Sequence, residues 1–305
     1  MSYLDALSHM WMILFAIALG FVADRLGYMG GEFNTKLTKL LLNLGLPCMI
    51  VSAVLTSENL PGLQDILNIL LVAVVFYVLA FAAAFLLPLV LRPPKKEIGT
   101  YRFVLSFTNI GFVGYPVVGS LFGSDCVFYA AVLALPFNLL LYTLGPVMLS
   151  GGKGGKLSWK GVFSPCMLAS LAALIVALTH LRFPVPVVES LDFIGDMSIP
   201  LALMLLGSIL AALPLGQMLG SPKMWLLTAL RLLAMPALLY AVLSALQVDE
   251  LVRNIAVVQM GLPVATNGVL LAMQYGGDTD SMAQGTFLTT VVSLVTIPLV
   301  ASLIL

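Results

Sequence analysis

The chain has 305 residues, of which 61% are apolar or aromatic and only 9% are charged, whereas about a quarter of an average soluble domain is charged. With a mean hydropathy of +1.09, this composition excludes a soluble globular domain, a disordered chain and a disulfide-stapled secreted module. The net charge is zero, so nucleic-acid binding has no electrostatic basis. The sequence predicts an all-α polytopic membrane protein.

Apolar runs of about 20 residues, enough to cross the hydrocarbon core of a bilayer, follow one another along the chain. A glycine- and lysine-rich linker at 151–156 divides them into two halves of five, 1–150 and 158–305. Because five is odd, the second half enters the membrane from the opposite side, which is typical of transporters built from two inverted repeats. The ten predicted transmembrane helices lie at 8–27, 35–56, 65–91, 101–123, 126–149, 163–181, 198–215, 223–246, 251–275 and 281–305.

The basic residues predict the orientation, because cytoplasmic loops carry an excess of Lys and Arg. With the N-terminus outside, only Arg182 and Arg253 fall on the outer side, and Arg231 lies inside the eighth span. We therefore expect both termini outside the cell membrane. The inner set is Arg25, Lys36, Lys39, Arg92, Lys95, Lys96, Arg102, Lys153, Lys156, Lys160 and Lys223.

The fourth and ninth spans each carry proline, glycine and a polar side chain near their centres. Proline removes a backbone donor and glycine lowers the cost of leaving helical dihedrals, so both spans are predicted to be broken. Broken helices in corresponding spans of two repeats indicate a binding site where they cross. The candidates are Asn109, Gly111, Gly114 and Pro116 in the fourth span, and Gln259, Gly261, Pro263, Thr266 and Asn267 in the ninth.

Each break starts a new half-helix, whose free N–H groups carry about half a positive charge and suit an anion. Asn109 and Asn267 can donate hydrogen bonds to a carboxylate without burying a charge. The alternative is structural: proline and glycine often only kink a membrane helix, and an asparagine can cap a helix end. Asn138 and Tyr142, four residues apart in the fifth span, either line the same cavity or bond a neighbouring helix.

The charged residues within or near spans are few. No Asp or Glu is predicted at the centre of a span, which disfavours a proton pump built on buried carboxylates. Asp65 and Asp196 are the candidates for coupling to a proton or cation, with ordinary interfacial carboxylates as the alternative. Arg231 either anchors its helix or faces the cavity and attracts anions. We expect no enzyme, cofactor or metal site, since no motif for any of them is visible.

Motifs at the two broken spans resemble those of the auxin efflux carrier family. The fourth span reads FTNIGFVGYP from Phe107 to Pro116, and the ninth reads GLPVATN from Gly261 to Asn267. The stretch from Pro136 to Asn138 and the stretch from Ser198 to Pro200 also agree with that family. The short central linker resembles the compact bacterial branch.

The resemblance implies an elevator-like secondary carrier of small organic anions, such as malate-, malonate- or auxin-like acids. It also implies that the broken helices cross at Pro116 and Pro263, that Asn109 and Asn267 lie near the substrate carboxylate, and that the protein is a homodimer. Two alternatives remain. One is a sodium-coupled symporter of the bile-acid type, with Gln259, Thr266 and Asn267 as sodium ligands; the other is a membrane receptor that binds without transport.

Overall fold

The computed structural model describes residues 3–57, 62–151, 163–212 and 221–304, so the predicted linker lies almost entirely outside the described residues. Over these ranges the chain is helical, apart from turns and one isolated backbone bridge. The helices are α1 (Tyr3–Arg25), α2 (Gly31–Leu55), α3 (Leu63–Leu91), α4 (Ile98–Ser106), α5 (Ile110–Phe122), α6 (Cys126–Leu133), α7 (Leu135–Leu149), α8 (Pro165–Thr179), α9 (Val185–Ala211), α10 (Pro222–Ala245), α11 (Glu250–Met260), α12 (Asn267–Tyr275) and α13 (Thr279–Ile304).

Five of these helices, α2, α3, α9, α10 and α13, are long and apolar enough to cross a membrane, with 24 to 29 residues each. The stretch formed by α6 and α7 is a sixth candidate, bent by 45°. Several spans with little chain between them make this a multi-pass membrane protein, as the composition predicted. The spans predicted to be broken, the fourth and the ninth, are each divided into two helices, α4 with α5 and α11 with α12.

Helix α9 contains most of the predicted seventh span and extends further toward the N-terminus. The prediction placed the start of the span at residue 198, where a helical segment does begin, and a turn at Met197 separates this segment from the preceding one, Val185–Asp196. Glu189, Asp192 and Asp196 lower the hydropathy of the first half of α9, yet they do not prevent it from being helical. Asp196 is the last residue of the first segment of α9 and lies two residues before Ser198.

Three prolines inside long helices each follow a widened turn. A π turn runs from Leu41 to Gly45, ahead of Pro47, and two others end in the same way two residues before Pro116 and Pro236. A proline ring clashes with the carbonyl group one turn back and cannot donate a hydrogen bond, and a π turn relieves both problems. The helices therefore continue through these prolines.

Close helix packing holds the first helices of the two halves against partners in the other half. Helix α1 packs on α9, where a Cβ on Gly20 or Gly207 would collide with the backbone of the opposite helix. Helix α2 packs on α8 and on α9, and a Cβ on Gly195 would lie 2.9 Å from Met49 Cα. Small residues let backbones approach closely, which stabilises helix pairs in a membrane.

Candidate functional site

The two broken helices meet backbone to backbone at their breaks. Thr108 and Val264 form an antiparallel bridge. Asn109 N donates to the carbonyl of Pro263 at 2.8 Å, and Ala265 N donates to the carbonyl of Phe107 at 3.0 Å. The N–H and C=O groups that lose their helical partners at one break are thus bonded by the other break. Non-helical backbone inside a membrane is tolerated only when its polar groups are bonded in this way.

The side chain of Thr289, on helix α13, forms a hydrogen bond with the backbone of the crossing. Its hydroxyl oxygen accepts a hydrogen bond from Val264 N at 3.2 Å and donates to the carbonyl of Gly285 within α13. Thr289 is fully buried. Helix α13 therefore contributes to the shape of the crossing, a contact that depends on tertiary packing and was not predicted.

Two helices begin at the crossing, and each begins beside a predicted asparagine. Asn109 caps α5, and its Oδ1 accepts a hydrogen bond from Phe112 N at 3.3 Å. The residue is 4% exposed, and its Nδ2 has no hydrogen-bond partner within the described ranges. Asn267 is the first residue of α12, and its Nδ2 lies 3.4 Å from Tyr142 Oη, to which it donates. Both helix N-termini orient positive partial charge toward the crossing.

A cavity of about 200 Å³, which we call the crossing cavity, opens beside these two helix N-termini. Of the predicted site residues, Asn109, Gly111, Tyr142, Thr266 and Asn267 line it. Every described residue of its lining is uncharged at neutral pH. The other lining residues are Leu42, Asn43, Ile110, Phe112, Tyr115, Ala134, Phe137, Ser164, Pro165, Cys166 and Ala265.

A second cavity, of about 400 Å³, lies against the same crossing. Its lining is mainly apolar and comes largely from α9 and α13, for example Leu205 and Phe287, with further residues from α2, α5 and α12. Asn109, Thr266 and Asn267 line both cavities. The two asparagines are therefore shared by the linings of the two cavities.

A third helix N-terminus faces the crossing cavity, and it was not predicted as part of the site. Helix α8 begins with Ser164 as its N-cap, whose Oγ accepts from Met167 N at 3.3 Å. Ser164, Pro165 and Cys166 line the cavity. A serine followed by proline is a recognisable helix start in sequence. That α8 starts at this cavity is a matter of tertiary structure.

Several predicted residues surround the crossing without lining either cavity. The carbonyl of Pro263 accepts the bond from Asn109. Gly114 lets α5 approach the other break, since a Cβ there would lie 2.9 Å from Leu262 Cδ1. Gly261 ends α11. The side chain of Asn138 lies outside what the structure describes.

Pro116 and Gln259 line neither of the two cavities. The crossing lies at Thr108 and Val264, whereas Pro116 is buried in α5 beyond its π turn. Gln259 is fully buried, and its Nε2 donates to the carbonyl of Ala130 at 3.2 Å, away from the crossing cavity. The π turn accommodates the ring of Pro116 within α5, and Gln259 Nε2 is bonded to α6. Neither residue therefore lines the crossing cavity.

The three charged candidates also lie outside both cavities. Asp65 is exposed, and its Oδ2 accepts from Gly62 N at 2.9 Å, which caps α3. Asp196 is exposed on α9. Arg231 is fully buried, and its Nη1 donates at 2.6 Å to the carbonyl of Met260, the last residue of α11. It therefore neither reaches the membrane surface nor faces the crossing cavity.

Comparison with known proteins agrees with this architecture. Residues 5–301 match the family described as "Membrane transport protein", so the chain belongs to that family, the auxin efflux carrier family that the motifs at the breaks predicted.

Its relatives of similar length are named as transporters. An "Uncharacterized transporter" of Methanothermobacter thermautotrophicus is 25% identical over 302 residues, 98% of each chain. A "Putative malonate transporter" of Rhizobium meliloti is 25% identical over 92% of this chain and 90% of the relative. An "Uncharacterized transporter" of Methanocaldococcus jannaschii is 24% identical over 94% of this chain and 95% of the relative.

Proposed function

We propose that the protein is a secondary active carrier that moves small organic anions across the cell membrane without changing them chemically. The observation that carries the proposal is the crossing cavity, where two helix N-termini and the amides of Asn109 and Asn267 meet. Helix N-termini and neutral donors stabilise a carboxylate at lower desolvation cost than a buried cation would incur. The relative named as a malonate transporter supports a short carboxylic acid as the substrate.

Within this proposal the chain forms ten spans as two inverted five-helix repeats, 1–150 and 158–305, that assemble as a homodimer with both termini outside. The helix pairing supports the repeat: α1 packs on α9, and its counterpart α8 packs on α2. We further propose that the movement is elevator-like. Val117, Val258 and Leu262 belong to one buried apolar cluster beside the crossing.

The direct test is malonate counterflow into proteoliposomes, with Asn109→Ala and Asn267→Ala as variants. We expect wild-type protein to exchange malonate and both variants to lose most of the exchange. Wild-type exchange by both variants would contradict a site at the crossing. Malonate bound by the wild type without any counterflow would instead favour the receptor alternative.

Cys166 supplies a second readout, because its side chain lines the crossing cavity and Cys48 does not. We expect malonate to slow alkylation of Cys166 by a maleimide and to leave Cys48 unaffected. Cys166→Ser identifies the labelled position. Equal labelling with and without ligand, in protein that exchanges malonate, would exclude this cavity as the binding site.

Sodium coupling is the weaker alternative. Of its three proposed ligands, Thr266 and Asn267 line the crossing cavity, but Gln259 does not; its Nε2 donates to the carbonyl of Ala130, and its Oε1 has no partner among the described residues. Sodium binding to proteins requires several oxygen ligands at one point. We therefore expect transport to continue unchanged when sodium is replaced by choline, and strict sodium dependence would favour the symporter.

A further inference from the structure

Two groups of polar residues line the crossing cavity, and they differ in the charge they can stabilise. The first, which we call the crossing group, consists of Asn109, Gly111 and Asn267. The second, which we call the α8 group, consists of Asn43 and Cys166, next to the cap residue Ser164. The two groups belong to different helices of the packed bundle.

The crossing group suits one full negative charge. Two helix N-termini meet there, and each carries about half a positive charge. The Nδ2 of Asn109 is unpartnered among the described residues, 4% exposed as a residue, and part of the cavity lining. In the first turns, Ile110 N donates to the carbonyl of Thr108, Phe112 N to Asn109 Oδ1 and Gly268 N to the carbonyl of Ala265, which leaves Gly111 N as the first-turn donor of α5 without a partner among the described residues. These donors together match a single carboxylate.

The α8 group offers much less to a charge. Pro165 has no N–H group, and Ser164 Oγ already accepts from Met167 N. The thiol of Cys166 donates to the carbonyl of Leu42 at 3.4 Å. The Cys166 N–H and the Asn43 amide remain, together with about half a positive charge from the helix end. Such donors and acceptors suit a hydroxyl, ester or carboxylic acid group.

For a dicarboxylate, two free-energy costs decide whether the second carboxyl group binds charged or protonated. A second full charge at the α8 group would have about half a positive charge to balance it, and the lining residues Phe137, Ala134 and Ile110 offer it no polar side chain. Burying an uncompensated charge costs several kcal/mol, whereas protonating a carboxylate near its own pKa costs about 1.4 kcal/mol per pH unit. Protonation is therefore the cheaper route by which the ligand enters.

We propose that the cavity selects short carboxylates with one negative charge and a second, uncharged polar group, and that a dicarboxylate binds as its singly protonated form. The proposal rests on the proposed function, since it places the charged carboxylate at the crossing group. It identifies Asn43 as a specificity-determining residue for the second group.

The pH dependence of binding reports the protonation of the ligand, because the titratable residues of the cavity lining change charge in a different pH range. Tyr115 of α5, Tyr142 of α7 and Cys166 of α8 face the cavity. Phenols and thiols ordinarily titrate above about pH 8, whereas the second carboxyl of malonate titrates at about pH 6 because the first charge opposes its ionisation. Between about pH 5.5 and pH 7.5 the protonation of malonate changes most.

The experiment compares malonate with monomethyl malonate, whose charge is fixed at one, by calorimetry on purified full-length protein. We expect the apparent affinity of malonate to fall about tenfold per pH unit above about pH 6. The affinity of the ester should stay constant. A malonate affinity that is independent of pH would show that the dianion binds and would overturn the proposal.

Variants separate this proposal from the proposed function. Asn43→Ala should weaken binding of the ester severalfold and leave binding of propionate, which has no second polar group, unchanged. Asn109→Ala should weaken the binding of malonate, of the ester and of propionate. If Asn43→Ala left the affinity for the ester unchanged, the α8 group would not bind the second polar group of the ligand. Failure of all three ligands to bind the wild type at every pH would overturn the proposed function, and this inference with it.

Discussion

The break between α4 and α5 and the break between α11 and α12 differ in length and in how each asparagine is held. The first break has only three residues, Phe107 to Asn109, and the second has six, from Gly261 to Thr266. Asn109 uses its Oδ1 to cap α5, so the cap fixes the direction of its Nδ2. Asn267 caps nothing and is held by Tyr142.

The incoming helices differ as well. Helix α11 ends at Met260, whose carbonyl accepts from Arg231 of α10, while Phe107 N donates to Phe103 O at the end of α4. The same residue types at matching positions therefore serve different purposes. In the proposed function, Asn109 both caps α5 and binds the ligand, whereas Asn267 binds the ligand and no side-chain hydrogen bond caps α12.

The largest expected effect is at Asn109, because one side chain has two tasks. Asn109→Ala should weaken malonate binding about 10- to 100-fold through the lost donor to a charged group. It should also lower the free energy of unfolding by about 1 kcal/mol through the lost cap. Calorimetry and thermal unfolding in detergent measure the two effects.

Asn109→Asp is the matched control, since it keeps an oxygen for the cap and removes the donor. We expect stability near that of the wild type and binding at least as weak as in Asn109→Ala, because the added carboxylate also repels an anion. Restored binding in Asn109→Asp would show that Asn109 acts on the ligand only by shaping the helix end.

Asn267 should separate binding from stability. Asn267→Ala removes a donor to the ligand but no cap, so we expect about tenfold weaker malonate binding with almost unchanged thermal stability. Tyr142→Phe, which removes only the partner that orients Asn267, should weaken binding by less. A loss of stability equal to that of Asn109→Ala would contradict the difference between the two breaks.

The sequence predicted the existence of the two breaks because proline and glycine change local backbone preferences wherever they occur. It did not predict that Thr108 pairs with Val264, since the register of two segments far apart in the chain is set by packing. Pro116 was assigned to the crossing because a proline signals a disrupted helix, and a π turn can absorb that disruption locally.

The start of α8 and the position of Arg231 show the same limit. Ser164 and Pro165 predict a helix start from sequence, but their place in the cavity follows from how α8 packs on α2. Arg231 was expected at an interface or in a cavity, because an isolated charge is costly in a bilayer. Arg231 instead binds the free carbonyl at the end of a broken helix. That carbonyl is available only because α11 ends at Met260.

Arg231 should affect stability more than binding, because it holds the end of α11 and not the ligand. Arg231→Met leaves the Met260 carbonyl unpaired, which should lower the free energy of unfolding by about 1–3 kcal/mol. Malonate affinity should change by no more than about threefold. Arg231→Lys keeps a donor and should recover part of the stability. A more stable Arg231→Met protein would mean that burying the guanidinium, whose Nε and Nη2 have no partner among the described residues, costs more than its hydrogen bond contributes.

Pro116 is expected to have the smallest effect, although it belongs to the motif that identified the fourth span. The π turn from Ile110 to Gly114 already accommodates its ring, and its side chain lines neither cavity. Pro116→Ala should therefore change the free energy of unfolding by less than about 1 kcal/mol and malonate affinity by less than about twofold. Pro263→Ala is the matched variant at the other break, and it should weaken binding more, because it loosens the backbone of the residue whose carbonyl accepts from Asn109 N. If Pro116→Ala preserved binding but abolished counterflow, the π turn of α5 would belong to the moving part of the carrier, and the two breaks would differ in motion as well as in the way each asparagine is held.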